Sequence, residues 1–249
     1  MNKSEAISEW KEINQPFELD FQKCYNYRDF DAWDKIWNRI FKTFGFEEDA
    51  FQHSFLVDIG CGSRPALSYF SVDNEKHCVD PLLSEFLNIE KQPCGCNINE
   101  HDKTKCTLPG HTNFHYRYEE KPNINVRNWF EEEDYKIHPF PYEEFILPLE
   151  NRADFVLCWN VLDHGYDWRV GIENIIKYLK TDGMLLLATD FERHKFHIGI
   201  DNPSELKEMI EDNFEILQTE ESGTVVVDKD RRKFNVGMDR DYMVLGKKK

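Results

Sequence analysis

Three groups of side chains in this sequence have types and spacings suited to chemistry. The first is Asp58 followed by Gly60, Cys61, Gly62 and Ser63. Two glycines two positions apart let a backbone come close to a ligand with no Cβ in the way. The carboxylate just before them suits the cationic amino-acid portion of a ligand. The second is Asp80, 20 residues after Gly60 and followed by Pro81 and Leu82. In nucleoside-binding α/β folds an acidic residue at this spacing accepts hydrogen bonds from the ribose hydroxyls, and Pro81 and Leu82 would flank the base. The third is a set of histidines, His164, His194 and His197. A pKa near neutrality fits each for taking a proton from a hydroxyl, or, for an anionic acceptor, for binding its charge. A purely structural role stands beside the catalytic one for every one of them. A fourth cluster, Cys94, Cys96, Cys106 and His111, has enough ligands for tetrahedral zinc but lacks the usual C-x2-C pair. It reads either as a zinc site or as an inserted loop with reduced thiols, and no metal ligand is assigned.

These residues need strand ends to hold them. Phe55–Ile59 is a short apolar run with β-branched members, the pattern of a buried strand. Pro65 is placed as an early residue of a following helix. It also stands where a dinucleotide fingerprint needs its third glycine, and no G-x-x-x-x-G-K-[ST] occurs, so neither phosphate-binding loop is present. Lys76–Asp80 reads as a second strand, Lys136–Pro139 as one shortened by proline, and Ala153–Trp159 as a buried strand running into Asn160–His164. Asp167 then caps a helix over Trp168–Leu179. Thr181, Asp182 and Gly183 end it, and Met184–Thr189 is another strand. Asn202 and Pro203 open a helix to about Asp212, and Phe214–Thr219, Thr224–Val227 and Tyr242–Leu245 read as late strands. Near the start, Trp33, Trp37, Ile40, Phe41 and Phe44 fall on one helical face, with Asp29 or Asp31 as its N-cap. The aromatic stretch before it, with Tyr25 and Tyr27, either packs on the core or forms a lid. Ligands of open α/β sheets bind beyond the carboxyl ends of the strands, so Asp58–Gly62, Asp80, Asn160–His164 and Asp190–His197 are expected to converge.

The D-x-G-C-G segment, Asp80, and the stretches ADFVLCWNVLDHGYDW and IIKYLKTDGMLLLATD, taken in order, resemble class I S-adenosylmethionine (SAM) methyltransferases over about residues 51–190, apart from an insertion. One glycine of the family's K-x-G-G-like turn is replaced here by Asp182. The resemblance implies an α/β Rossmann-like fold, a doubly wound, mostly parallel seven-stranded sheet with an antiparallel terminal hairpin and a helical N-terminal cap. It divides the chain into a cap over residues 1–50 and a methyltransferase domain over 51–249, with the insertion at about 91–133. It implies SAM as cofactor and S-adenosylhomocysteine (SAH) as product. The cofactor-binding set is Asp58, Gly60, Cys61, Gly62, Ser63, Asp80, Pro81, Leu82, Asn160 and Val161, with Asn160 and its neighbours on the methionine side. Tyr142 and Glu143 are further candidates for the adenine. The NYRDFDAWDKIW segment and the pairing of VDIGCGSRP with HCVDPL also resemble bacterial methyltransferases that decorate surface saccharides, which implies a sugar hydroxyl or a phosphoramidate-like group of a capsule precursor as acceptor.

Composition narrows the partners. A net charge of −16 over 249 residues disfavours a polyanionic nucleic acid, which needs a basic footprint. No apolar run approaches a membrane span. Seven cysteines, two of them in or beside predicted buried strands, and no basic leader with an apolar stretch point to a reduced, cytoplasmic protein. The expected partner is a small-molecule acceptor, and oligomeric state is not legible. A non-catalytic SAM-binding module on the same fold is the alternative function.

Overall fold

A computed structural model describes residues 3–19, 30–71, 73–88, 126–192, 197–221 and 240–249. Tyr25, Tyr27, the Cys94–His111 cluster, His194 and the Thr224–Val227 strand lie outside the described residues.

Seven strands form one sheet: β1 (Phe55–Ile59), β2 (Glu75–Val79), β3 (Lys136–His138), β4 (Ala153–Trp159), β5 (Leu179–Thr189), β6 (Phe214–Glu221) and β7 (Tyr242–Lys248). Their order is β3-β2-β1-β4-β5-β7-β6. The first five run parallel, and β7 inserts antiparallel between β5 and β6. This is the expected mostly parallel sheet with an antiparallel terminal hairpin. The chain moves outward from β1 to β3 on one side, then returns to β4 on the other. The gap above β1 and β4 is therefore the point where strand order reverses, the usual ligand position in such sheets.

Strand alternation sorts the core onto two faces. Leu56 and Phe155 pack on one side with Trp37, Phe41 and Phe44 of α2 (Phe30–Thr43), together with Phe46, Phe51 and Phe70. Val57 and Val156 pack on the other with Ile172 and Ile175 of α5 (Trp168–Tyr178) and Leu206 and Ile210 of α6 (Pro203–Asn213). Other helices among the described residues include α1 (Lys3–Glu9), which runs into a π-helical turn at Trp10–Asn14, α3 (Leu83–Phe86) and α4 (Val126–Glu132). Phe41 stands 4.7 Å from the Phe70 ring and 6.4 Å from Phe155 of β4, so α2 forms part of the sheet's own core.

Three local expectations are corrected. Pro65 does not enter an α-helix. Its ψ of 141° makes it the cap of a single 3₁₀ turn, Ala66–Tyr69. Asp31 lies inside α2, which is described from Phe30 onward, and so is not its N-cap, while Asp29 lies outside the described residues. Thr181–Gly183 is no helix-ending turn, because α5 stops at Tyr178 and β5 starts at Leu179. Asp182, not Gly183, takes the left-handed backbone, with φ of 65°. Gly183 is needed for space, since a Cβ there would sit 2.7 Å from the Ala153 carbonyl oxygen. The helix caps at Asp167 and Asn202 are as read, accepting from the Val170 and Glu205 amides.

Candidate active site

The turn after β1 is built around its glycines. Gly60 and Gly62 have φ of 69° and 62°, a region that side-chain-bearing residues enter at a cost. The Gly60 amide donates to the Val79 carbonyl at 2.7 Å, tying the tips of β1 and β2 together. The Gly62 amide donates to Asp80 Oδ2 at 3.1 Å, and the Leu82 amide to Asp80 Oδ1 at 2.9 Å. Asp58 Oδ2 accepts from the Ala66 amide at 2.9 Å. Thus both carboxyls are fixed by backbone donors, and each keeps unused lone pairs for a ligand. Cys61 and Ser63 are buried beneath the turn. Burial pushes the Cys61 thiol up, with Cys78 beside it adding to the effect, so Cys61 offers its backbone and not a thiolate. Pro81 is half-buried and Leu82 buried behind Asp80.

The electrostatics of this corner are unusual. Asp58 is pushed up to about 8 by burial, against the lowering by the Ala66 amide, with Asp80 adding repulsion. Asp80 is pushed up to about 7 by burial, opposed by the Leu82 and Gly62 amides, while Glu18 and Glu85 add negative potential. Among the described residues neither carboxyl is paired with a cation. Two buried acids side by side, each lacking a counter-charge, make a corner that gains from a positive ligand.

Across the sheet's midline, Asn160 ends β4 with φ of 60°, its amide donating to the Ala188 carbonyl at 2.7 Å. Its Oδ1 is buried and has no hydrogen-bond partner among the described residues. Val161 leans over the glycine turn, and a Cβ on Gly60 would lie 2.2 Å from Val161 Cγ2. Gly60→Ala is therefore expected to cost about 2–4 kcal/mol in urea unfolding, combining a left-handed alanine with a steric clash. Adding Val161→Ala recovers only the clash, and a complete recovery would show that backbone conformation does not matter there.

The segment then turns, the His164 amide donating to the Val161 carbonyl at 2.9 Å. Asp163, which sequence reasoning did not single out, is fully buried in this turn. His197 Nδ1 lies 2.8 Å from Asp163 Oδ2, and His164 Nε2 lies 3.7 Å from the same oxygen. The two imidazole rings stand 3.7 Å apart. Burial alone would raise the Asp163 pKa, but His164, His197 and Arg240 outweigh it and hold the carboxyl down at about 2. Burial lowers the His164 pKa, so its ring is neutral at neutral pH. His197 is held in place by its loop: the Gly199 amide donates to the Asp163 carbonyl at 3.0 Å, with Gly199 at φ of 77°. The only sequence trace of Asp163 was its place within Leu162-Asp163-His164.

The N-terminal segment reaches both halves. Glu18 Oε2 is 3.9 Å from His164 Nδ1, and the Trp10 ring meets Tyr166 edge-on at 5.1 Å. Tyr142 and Glu143 are turned toward the start of α5 instead. The Tyr142 hydroxyl donates to the Leu162 carbonyl, and Glu143 Oε1 accepts from the Tyr166 and Asp167 amides at 2.6 and 3.1 Å. Burial pushes Glu143 up to about 7 despite these donors.

A family model described as a methyltransferase domain matches residues 25–215. Among curated proteins none matches significantly. Among solved structures, the chain resembles one chain of the complex between the Haloferax volcanii Trm112 methyltransferase activator and the putative methyltransferase. The TM-score is 0.55 at 14% identity, covering 92% of this chain and 97% of that one. It also resembles the Burkholderia thailandensis 1,6-didemethyltoxoflavin-N1-methyltransferase bound to 1,6-didemethyltoxoflavin and SAH, with TM-score 0.50, 14% identity and coverage of 99% and 86%. A third similar structure is the [4+2]-cyclase SpnF, with TM-score 0.52, 15% identity and coverage of 88% and 81%. At these identities the likeness is one of fold.

Proposed function

The chain belongs to the methyltransferase-domain family and is a SAM-dependent enzyme, and from that premise we propose that it methylates an oxygen of a small acceptor, a sugar hydroxyl or phosphate-like group of a surface-polysaccharide precursor. SAM supplies a methyl group on a sulfonium, already activated for in-line displacement. The residues at the sheet tips fit it. Asp80 offers each oxygen's remaining lone pair to a ribose hydroxyl. Asp58 and the orphaned Asn160 Oδ1 provide negative potential and an acceptor for the ammonium end. Gly60 and Gly62 let the ligand lie on the backbone.

The acceptor's oxygen belongs on the other side, at Asp163, His164 and His197. As a unit these groups handle the proton lost from a hydroxyl, or the charge of an acceptor that arrives anionic. The observation that carries this reading is the buried Asp163 carboxylate with His197 Nδ1 at 2.8 Å. The N-terminal segment, through Trp10 and Glu18, helps keep water from the transfer. We place residues 1–50 as a cap on the 51–249 domain, with residues 91–133 as an insertion that shapes the acceptor pocket. The small-acceptor reading agrees with the charge of −16, which also argues against nucleic acid, and the cysteine content fits a cytoplasmic enzyme.

The test is transfer of label from methyl-tritiated SAM to pools of nucleotide-linked sugars and phosphorylated sugars. Asp163→Asn and His197→Gln are each expected to lower kcat by about 10²–10⁴-fold, while SAM affinity by titration calorimetry changes less than about threefold. Loss of SAM binding in these variants would contradict the division into two halves. Since a [4+2]-cyclase shares the fold, a second reading is a SAM-binding protein without methyl transfer. SAM binding without labelled product in any pool would favour it.

A further inference from the structure

We infer that Asp163, His164 and His197 are the protein ligands of one divalent transition-metal ion, of the zinc, iron(II) or manganese(II) kind. The three side chains each bring one ligand atom, and these atoms lie within 4.8 Å of one another. Ligands at about 2.0–2.2 Å from a common ion stand about 3–3.5 Å apart in octahedral or tetrahedral arrangements. The two separations that involve Asp163 Oδ2, 2.8 Å to His197 and 3.7 Å to His164, bracket that range. Two imidazoles and one carboxylate also form the mixed nitrogen and oxygen set that such ions take with positions left open.

The chemistry of each group points the same way. Among the described residues His164 Nε2 is buried and forms no hydrogen bond, although Asp163 Oδ2 is only 3.7 Å away. A buried ring nitrogen aimed at a carboxylate yet too far to bond leaves room for something between them. The opposite nitrogen, Nδ1, faces Glu18 Oε2 at 3.9 Å. Metal-bound histidines commonly turn their second nitrogen toward a carboxylate, which fixes the tautomer and ring orientation. Asp163 Oδ1 is held by the Thr189 hydroxyl at 3.4 Å, leaving Oδ2 as the ligand atom. Arg240 adds positive potential to the region, but its guanidinium is paired with Asp190. The backbone is already organised, since the Gly199 amide binds the Asp163 carbonyl and so positions His197.

With three protein ligands on one side, the open positions face the cleft, where they would take the oxygen donors of an acceptor. With the three side chains engaged as ligands, the ion in place of the free histidines would hold the acceptor's oxygen and favour its ionised form, the hydroxyl proton leaving to solvent before the methyl group is transferred. This role on the acceptor rests on the methyl-transfer reading, whereas the binding of the ion does not.

The test uses the 249-residue chain stripped with a chelator and titrated with Co(II), followed by its visible ligand-field bands, with Zn(II) as competitor. One Co(II) per chain is expected. His197→Gln and Asp163→Asn are each expected to weaken it at least tenfold, with circular dichroism unchanged. His197→Gln is the safer of the two, because its ring is partly exposed. The triple variant Cys94→Ser, Cys96→Ser and Cys106→Ser is expected to leave the affinity and bands as they are. Absence of binding at millimolar Co(II), or binding lost in the cysteine variant and kept in the other two, overturns the inference. SAM titrated into the same stripped protein separates the two readings. SAM binding with no Co(II) binding sinks the metal site alone, and loss of SAM binding sinks the methyl-transfer reading.

Discussion

Asparagine in place of Asp80 is expected to weaken both SAM and SAH by about 10²–10³-fold. The ribose is common to the two ligands, so the loss is the same for each. A charge-assisted hydrogen bond contributes about 1.5–3 kcal/mol, and Asp80 is placed to make two to the ribose hydroxyls. Asparagine keeps one acceptor oxygen but turns an NH₂ toward either the Gly62 or the Leu82 amide, so one backbone donor also loses its partner. The folded chain pays little for the change. A carboxyl that burial has pushed up to about 7 is a group the apo protein is better off neutral, and asparagine is neutral. The unfolding free energy is therefore expected to move by about 1 kcal/mol or less in either direction. Titration calorimetry with both ligands, beside urea unfolding, measures the pair. An affinity within threefold of the parent would place the ribose away from the end of β2, and with it the rest of the cofactor.

The contrast between Asp80 and Asp163 shows how much of this site the sequence carries. Asp80 was found because its position is set by local rules: a strand of five residues, a glycine turn 20 residues earlier, and parallel pairing of Val57 with His77 that brings the two tips level. The same rules located β1, β4 and the strands β6 and β7, whose antiparallel pairing came from the family resemblance. Asp163 obeys no such periodicity. It sits in a turn, and its partner is 34 residues away in sequence, brought back by a left-handed glycine and the Gly199 amide's bond to the Asp163 carbonyl. Glu18 is more remote still, reaching His164 from the other end of the chain. Where local cues misled, two conformations competed within a few residues. At Asp182 and Gly183 the glycine is needed for the approach of the Ala153 carbonyl, and the left-handed backbone falls to the aspartate. At Pro65 the ring is compatible with a helix start, but Ala66 spends its amide on Asp58 and the chain makes only one 3₁₀ turn.

Raising the pH from 6.5 to 8 is expected to destabilise the ligand-free protein by about 2–3 kcal/mol and, over the same range, to tighten SAM binding at least tenfold. Three buried carboxyls drive the first effect: Asp58 at about 8, Asp80 at about 7 and Glu143 at about 7. In the unfolded chain such groups titrate near 4. Between those values the folded chain holds protons that the unfolded chain has released, so stability falls as pH rises and levels off only above about pH 9, once Asp58 is fully ionised. Below about 6.5 the trend is masked, because His77, His138 and His164 are held below their ordinary values and lose stability in the opposite direction, toward acid. The window above 6.5 belongs to the carboxyls. SAM reverses the sign at two of them. Its ammonium group beside Asp58 and its ribose hydroxyls donating to Asp80 both favour the ionised forms, so binding expels protons that the apo protein retains, and affinity must rise with pH by linkage. Calorimetry at pH 7 in two buffers of different ionisation enthalpy is expected to count between one and two protons released per SAM bound. Asp58→Asn removes the larger share of that release and flattens the apo stability curve, even as it weakens the ligand. A release of zero, with affinity constant from pH 6.5 to 8, would mean that neither carboxyl meets the cofactor.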